Sequence, residues 1–530
     1  MKWYNLIIFS ILTGLLLSLG WPENGHSFIL FFSLVPLLFV EDYFLSNSKK
    51  IKVFFYSYIS FFVWNVLTTW WIVNSTVFGA WSAFLLNSFI MAFTFYVFHL
   101  CRRRFNNNLS IFFLIPLWIS FEYFHLDWDL SWPWLNLGNA FATVPKWIQW
   151  YEFTGTFGGT LWILISNIFI FLSIKSIINN YSAKTKYFLL ITSVLLIIIP
   201  ILISKNIYKN YIEKEAPVKV VVVQPNIDPY TEKFSVSPDI QTNKMLRLSY
   251  ENVDSTTDFL VFPESAIQEN VWERRLKYST SINKYKTHLI NKYPDLNIII
   301  GASSFKMFLE GEKLSNTARK FSDEDLWYDA YNSAFLINNS PKIQIYHKSK
   351  LVPGVEKMPF SQFFKPLEKF ALDMGGTTGS LGTTNHRTPF ISNKSLKVAT
   401  VICYESIYGE FCSKFVKNGA DLIFVITNDG WWGDTPGYKQ HFEYSRLRAI
   451  ETRRSIVRAA NTGRSGFINQ RGDVIKYTPY WKEAVIKKNI NSNSKLTFYT
   501  KYGDYLGRIS AILSVIIILL SLFINFLKKI

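Results

Sequence analysis

Three side chains suited to acyl-transfer chemistry stand at or near the ends of three apolar runs. They are Glu264 in DFLVFPES (258–265), Lys348 in IQIYHKSKL (343–351) and Cys403 after VATVI (398–402). A glutamate can take a thiol proton and return it to a leaving group. A lysine can stabilise the oxyanion of a tetrahedral intermediate and lower the thiol pKa. A cysteine can then carry the acyl group as a thioester. Cys403 follows a β-branched run, Tyr404-Glu405-Ser406 turns polar, and helical spacing resumes over 407–416. A thiol on such a strand-to-helix turn lies near amide dipoles, so a lowered pKa is expected. Taken singly, each has a plainer reading: Cys403 as a small buried side chain, Glu264 as a cap, Lys348 as a solvated cation.

These residues need strands to hold them. Buried strands are expected at 218–226, 258–265, 297–303, 333–339, 343–351, 398–403 and 421–428, with helices at 232–252, 281–292, 407–418 and 437–454. Such alternation points to a layered α/β domain. No phosphate-cradling glycine loop is present, and the seven histidines show no metal-ligand spacing, so neither a metal nor a cofactor is expected. Three cysteines, at 101, 403 and 412, make no disulfide framework. Cys403 and Cys412 could pair in an oxidising compartment, though nothing in their spacing requires it.

The apolar residues are unevenly spread along the 530 positions. Runs at 4–19, 27–45, 53–73, 80–100, 109–123, 158–174, 187–204 and 508–527 are apolar enough for eight membrane helices. Lys49, Lys50 and Lys52 follow the second run, Arg102 to Arg104 the fourth, and Lys175, Lys184 and Lys186 the sixth; Lys528 and Lys529 follow the last. That alternation places both termini and the basic loops in the cytoplasm and the layered domain outside. The expected division is a membrane domain at 1–211, an extracytoplasmic domain at 212–504 and a final membrane helix at 505–530. A net charge of +18 fits a membrane-facing role, and no compact basic motif suggests nucleic acid. The loop 124–157 carries Trp128, Trp132, Trp134 and Trp147, which fits an interfacial belt or a wall for an entering lipid.

The order Glu264 in FPES, Lys348 in YHKSKLVP and Cys403 in ICYES resembles the Glu-Lys-Cys triad of the nitrilase superfamily. With apolar runs on both flanks, the chain is similar to its membrane-anchored branch, the apolipoprotein N-acyltransferases. VVQPN (222–226), KLVPGVEKMPF (350–360), TNDGWWG (427–433), QHFEYSRLRAIETRR (440–454) and WPWLNLGN (132–139) support the likeness. It implies an α-β-β-α sandwich on an eight-helix base, with Glu264 as general base, Lys348 as oxyanion stabiliser and Cys403 as nucleophile. Glu356 matches a second essential acid, although Gly354-Val355 departs from the family's usual Phe-Gly. Gly354 is a candidate hinge for a lid. Tyr404, Glu405, Asn428 and Trp431 match positions that shape the acyl pocket, and Trp432 stands where the family usually has Phe.

The implied reaction takes an acyl chain from a phospholipid donor onto Cys403 and passes it to the α-amino group of a diacylglyceryl apolipoprotein. It needs no cofactor or metal, works in the bacterial inner membrane with the catalytic domain on the periplasmic side, and is expected of a monomer. The nearest alternative is a membrane-tethered amidase of the same superfamily. A catalytically dead binding module on a transporter-like base is disfavoured by the intact Glu264, Lys348 and Cys403. No intramembrane run of acids suggests transport.

Overall fold

The structure, a computed structural model, describes residues 2–22, 25–45, 50–321, 326–360 and 380–527. Lys49, Lys528 and Lys529, used above for orientation, lie outside the described residues. The chain divides into two compact units, Met1–Tyr211 with Tyr502–Ile530, and Ile212–Lys501.

In the first unit, helices form at every apolar run named above. Among the described residues, five are long and apolar enough to cross a membrane: Ser27–Leu45, Val77–Phe105, Thr156–Ile178, Ala183–Asn210 and Tyr505–Leu527. Trp3–Leu19 and Asn108–Phe124 are shorter apolar helices. Lys52–Thr69 is an 18-residue helix followed by a 3-10 turn. Polar pairs tie three of these helices together: buried Glu41 accepts from His99 at 2.8 Å and from Arg102, and the partly exposed Asp42 accepts from Lys175 at 2.6 Å.

The tryptophan-rich loop folds into 3-10 turns at Pro133–Leu135, Leu137–Phe141 and Pro145–Trp147. Trp134 is buried and stacks on Trp132 with centroids 5.5 Å apart, whereas Trp128 is partly exposed. Glu122 organises the segment by accepting from the Leu137 N–H at 2.7 Å and the Thr160 hydroxyl at 2.7 Å. Trp134 packs into the unit, next to backbone anchored from within it.

The second unit is built on two sheets. Its strands are β1 (Pro217–Gln224), β2 (Phe259–Val261), β3 (Ile267–Trp272), β4 (Asn297–Met307), β5 (Arg319–Lys320), β6 (Trp327–Ile337), β7 (Gln344–His347), β8 (Phe390–Ile391), β9 (Lys397–Ile402), β10 (Leu422–Thr427), β11 (Ile456–Ala460), β12 (Gly466–Ile468), β13 (Val474–Tyr477) and β14 (Ala484–Asn491). One sheet runs β14-β1-β2-β4-β6-β5, with β3 on β4 and β7 on β6; the other runs β13-β12-β11-β10-β9-β8. β1, β2 and β4 are parallel, as are β9, β10 and β11.

These parallel strands are buried on both faces, which is why they are continuous in Val and Ile rather than alternating. Val221 and Val223 point to the helices Pro238–Tyr250 and Thr280–Tyr285, packing with Met245, Ile282 and Tyr285. The intervening Val220 and Val222 are also fully buried, on the opposite face. Between the sheets, Phe259 of β2 meets Phe424 of β10 edge to face at 5.2 Å. Helices Gly409–Lys417 and Pro436–Thr452 belong to the β9–β11 side. The result is an α-β-β-α sandwich, as expected. Several strand ends bring polar loops together at one place.

Candidate active site

β2 ends at Val261, and Phe262-Pro263 lead to Glu264. Gly301 of β4 lies directly beneath this turn. A Cβ at Gly301 would stand 2.7 Å from the Glu264 Cα and 2.6 Å from the Ser265 nitrogen. The Gly301 N–H donates to the Pro263 carbonyl at 3.1 Å. Only a residue without a side chain lets the strand support Glu264 this closely.

Lys348 follows β7 at once, and its own N–H donates to the Asn332 carbonyl on β6 at 2.8 Å. Its Nζ donates to Glu264 Oε1 at 3.1 Å and to Glu356 Oε1 at 2.8 Å. Asn332 Nδ2 donates to the same two oxygens, at 2.7 and 3.0 Å. The remaining oxygens are engaged by backbone: Glu264 Oε2 by the Asn428 N–H at 3.0 Å, Glu356 Oε2 by the Val352 N–H at 2.9 Å. Lys348 is 1% exposed, so its ammonium persists only because two carboxylates surround it. Burial opposes its charge, but Glu264 and Glu356 hold its pKa well above the usual lysine value. For Glu264 burial works upward, yet Lys348, the Asn332 hydrogen bond and Lys233 bring the pKa below its ordinary value. The resting pair is therefore carboxylate and ammonium.

Cys403 sits at φ +51°, in the left-handed region, where a non-glycine residue costs of order 1–3 kcal/mol. Two buried braces hold it there. Glu405 Oε2 accepts from the Ile402 N–H at 2.8 Å, while its Oε1 accepts from the Tyr346 hydroxyl at 2.7 Å and the Ser349 N–H at 2.6 Å. One side chain thus ties the strand end before Cys403 to the segment after Lys348. The second brace is His441, whose Nε2 lies 3.2 Å from the Cys403 carbonyl and 2.9 Å from the Ser406 hydroxyl. Nδ1 lies 2.9 Å from Asp429 Oδ1 and 2.8 Å from Arg458, and Arg458 also donates to Asp429 Oδ2 at 2.7 Å. Burial and Arg458 lower the His441 pKa against the pull of Asp429, which keeps the ring neutral.

The expected low thiol pKa is not found. Burial pushes the Cys403 thiol up, the Glu264 charge adds to that, and Lys348 opposes it without prevailing. A helix dipole acts within its first turn. Here the residues after Cys403 form a five-residue 3-10 turn, Cys403–Ile407, and the α-helix begins only at Gly409. The resting Cys403 side chain is therefore a protonated thiol.

The other expected residues are placed as follows. Asn428 bonds Glu264 through its backbone and accepts from Asn461 at 3.1 Å through Oδ1. Tyr404 is buried against Tyr408 at 5.3 Å. Trp431 meets Tyr230 at 5.3 Å, and its carbonyl accepts from the Tyr230 hydroxyl at 2.7 Å. Trp432 meets the His441 ring at 5.7 Å. Gly354 has φ +80° in the turn carrying Glu356, where the N–H groups of Val355, Glu356 and Lys357 all point to the Val352 carbonyl. All three cysteines are free, and Cys412 is fully buried with a thiol pKa pushed up to about 12 by burial.

Sequence reasoning missed Asn332, Asp429, His441, Arg458 and Lys233. A signal existed for Arg458, a charged residue inside the apolar run IVRAA of β11. Cys403, Asp429 and His441 also place a sulfur, an oxygen and a nitrogen within 4.8 Å of one another, a grouping invisible in sequence spacing. Arg458 occupies the side of Asp429 and His441 where a cation would bind, so these donors fit a hydrogen-bonded brace better than a metal centre.

A two-sheet sandwich presenting Glu, Lys and Cys from three strand ends defines a cysteine enzyme of carbon-nitrogen bond chemistry. Residues 219–495 match the carbon-nitrogen hydrolase family, and the chain belongs to it. Residues 13–169 match the apolipoprotein N-acyltransferase N-terminal domain. The chain is similar to the apolipoprotein N-acyltransferase of Chlorobaculum tepidum, with 28% identity over 93% of this chain and 92% of that one. It is also similar to the apolipoprotein N-acyltransferase of Geobacter metallireducens, with 27% identity over 94% of this chain and 91% of that one. Among solved structures, Nit3 of Saccharomyces cerevisiae, a member of branch 10 of the nitrilase superfamily, matches 52% of this chain and 90% of its own at 15% identity and TM-score 0.37.

Proposed function

We propose that this protein N-acylates the amino-terminal diacylglyceryl-cysteine of apolipoproteins, using a membrane phospholipid as donor and Cys403 as the acyl carrier. The observation that carries this reading is the convergence of Glu264, Lys348 and Cys403 in a chain whose whole length resembles apolipoprotein N-acyltransferases. In the first half-reaction Glu264 takes the Cys403 proton as the sulfur attacks the ester carbonyl. The Lys348 ammonium offsets the charge developing on the carbonyl oxygen. Collapse breaks the carbon–oxygen bond, Glu264 returns the proton to the departing oxygen, and lysophospholipid leaves. In the second, the acceptor amine attacks the thioester, Glu264 takes an amine proton, and the proton passes to the departing Cys403 sulfur. Protons balance over the cycle, and no redox partner is consumed. Glu356 and Asn332 act by fixing Lys348.

The same proposal assigns 1–211 and 505–530 to eight membrane spans with cytoplasmic termini, and 212–504 to the catalytic domain on the periplasmic side of the inner membrane. The test is loading. Donor phospholipid alone should add one acyl chain to the peptide containing Cys403, removable by neutral hydroxylamine, with lysophospholipid released first. A diacylated lipopeptide with a free amine should discharge it, whereas one with a blocked amine should not. An adduct on Cys412, or wild-type turnover by Cys403→Ala, would refute the reading.

A further inference from the structure

Asp429, His441 and Arg458 lie against the nucleophile loop, and the acyl-transfer steps use none of them. Each of the three side chains is fully buried. They come from three elements: the 3-10 turn Asp429–Trp432 after β10, the helix Pro436–Thr452 and the middle of β11. Arg458 Nη2 donates to Asp429 Oδ2 at 2.7 Å and lies 2.8 Å from His441 Nδ1, while Asp429 Oδ1 lies 2.9 Å from that same nitrogen. The Thr427 hydroxyl donates to Asp429 Oδ1 at 2.7 Å. Arg458 stands in a strand, IVRAA, that is otherwise apolar and buried throughout. A guanidinium there is costly unless its charge is answered, and a site that keeps one has a use for it.

The group reaches the reacting atom. The Cys403 sulfur, a carboxylate oxygen of Asp429 and a ring nitrogen of His441 all lie within 4.8 Å of one another. His441 Nε2 is also 3.2 Å from the Cys403 carbonyl, which ties the ring to a backbone held at φ +51°. A unit charge this close to a titrating group shifts its ionisation by about 1–3 pKa units. An acid that helps to brace the nucleophile therefore brings a charge that opposes the thiolate. Asp429 acts in that sense on Cys403, after burial and the Glu264 charge. Arg458 carries the opposite charge and occupies the other oxygen of the same carboxylate. Burial works against the Asp429 charge, yet Arg458 holds its carboxyl below the ordinary aspartate range.

We propose that Arg458 is a positioning residue acting through Asp429: it cancels the charge of the carboxylate that braces His441, so that the brace can grip the nucleophile loop without repelling the thiolate that forms on Cys403. Asp429 and His441 supply the grip, and Arg458 makes it electrostatically silent. The assignment rests on the acyl-transfer reading only for its biological use, because thiol ionisation is measurable without any lipid.

The experiment uses the full chain in detergent and follows alkylation of the Cys403 peptide by iodoacetamide, which reacts with the thiolate. Cys403 is partly exposed, and the buried Cys412 is the control for a loosened loop. The pH is held at about 9, above the ordinary imidazole range, so that His441 does not replace a lost guanidinium with a proton. Arg458→Met should react about tenfold more slowly than the wild-type protein, the equivalent of one pKa unit. Arg458→Lys, which keeps the charge but not the fork, should stay near the wild-type rate. Asp429→Asn should react about tenfold faster, because it removes a nearby negative charge and leaves a cation. Arg458→Met combined with Asp429→Asn should return to near the wild-type rate, whereas a role confined to packing makes the double variant worse than either single one. Unfolding temperatures report that the fold is intact, and should Arg458→Met fail to fold, Asp429→Asn and the double variant decide. Asp429→Asn at or below the wild-type rate, Arg458→Lys as slow as Arg458→Met, a double variant that stays slow, or a gain accompanied by labelling of Cys412 would overturn the assignment. The expected pattern in a protein that never loads acyl chain from phospholipid would support Arg458 while removing the acyl-transfer reading.

Discussion

At the scale of single residues, the site depends on buried acids whose every oxygen is engaged. Glu405 is the sharpest case, because its two oxygens serve the Ile402 and Ser349 amides and the Tyr346 hydroxyl. Glu405→Gln replaces one acceptor with a donor that faces a donor. A buried unsatisfied group costs about 1–3 kcal/mol. That variant should unfold at lower temperature and load acyl chain at least tenfold more slowly, measured by calorimetry and by adduct mass. Lys233 has the opposite stability signature. Its folded pKa of about 8 lies below the lysine reference, so between those values the unfolded chain binds more protons and stability rises with pH. Lys233→Met should be more stable than wild type at pH 7 by roughly 2–4 kcal/mol, and the gain should shrink above pH 8. Denaturation at pH 7 and pH 10 checks this. Glu264, Lys348 and Cys403 were legible because each terminates an apolar run with a reactive group. Asn332 and His441 were not, since an amide within a strand and a histidine within a helix carry no local mark of what they touch. The thiol pKa was misjudged because the sequence marks the turn but not whether a 3-10 or an α-helix follows it.

At the scale of elements, the parallel strands were readable from their apolar runs, and their ends place the chemistry. β11 to β14 went unassigned: the apolar run of β11 is interrupted by Arg458, and the others are short or carry exposed polar faces, as in Val474–Tyr477. β4 has a role beyond pairing, since Gly301 is the contact through which the sheet supports Glu264. Gly301→Ala should push that turn away, costing about 1–3 kcal/mol of stability by overpacking. If Glu264 is the general base, as proposed, the larger effect should fall on catalysis, because its displacement would cost its alignment with the thiol. The variant should bind lipid normally and show a reduced rate of thioester formation in single-turnover mass measurements. Normal loading would show that the close approach serves packing alone.

At the scale of the whole molecule, the basic residues Lys50, Lys52, Arg102 to Arg104, Lys175, Lys184 and Lys186 motivate a cytoplasmic amino terminus. A reporter active only in the cytosol, fused near residue 300, should stay dark, while one fused after residue 104 should be active. Five helices among the described residues meet the length and hydropathy needed to span, and the shorter Trp3–Leu19 and Asn108–Phe124 do not by themselves. Their apolar runs were legible, but span length was not, because 3-10 turns and caps divide runs that look continuous. Accessibility labelling at each loop would count the crossings directly.

The protonated state of Cys403 has a consequence for survival rather than for rate. Thiolates, not thiols, attack peroxides and disulfides. The catalytic domain is proposed to face a compartment where disulfides form, and Cys412 stands close by in sequence as a partner for a dead-end bridge. Burial and the Glu264 charge keep the resting sulfur protonated, its least oxidisable form. An enzyme waiting between substrates should therefore age slowly in oxidant, while Glu264→Gln, which removes the negative charge that opposes ionisation, should oxidise faster at Cys403 than the wild-type protein.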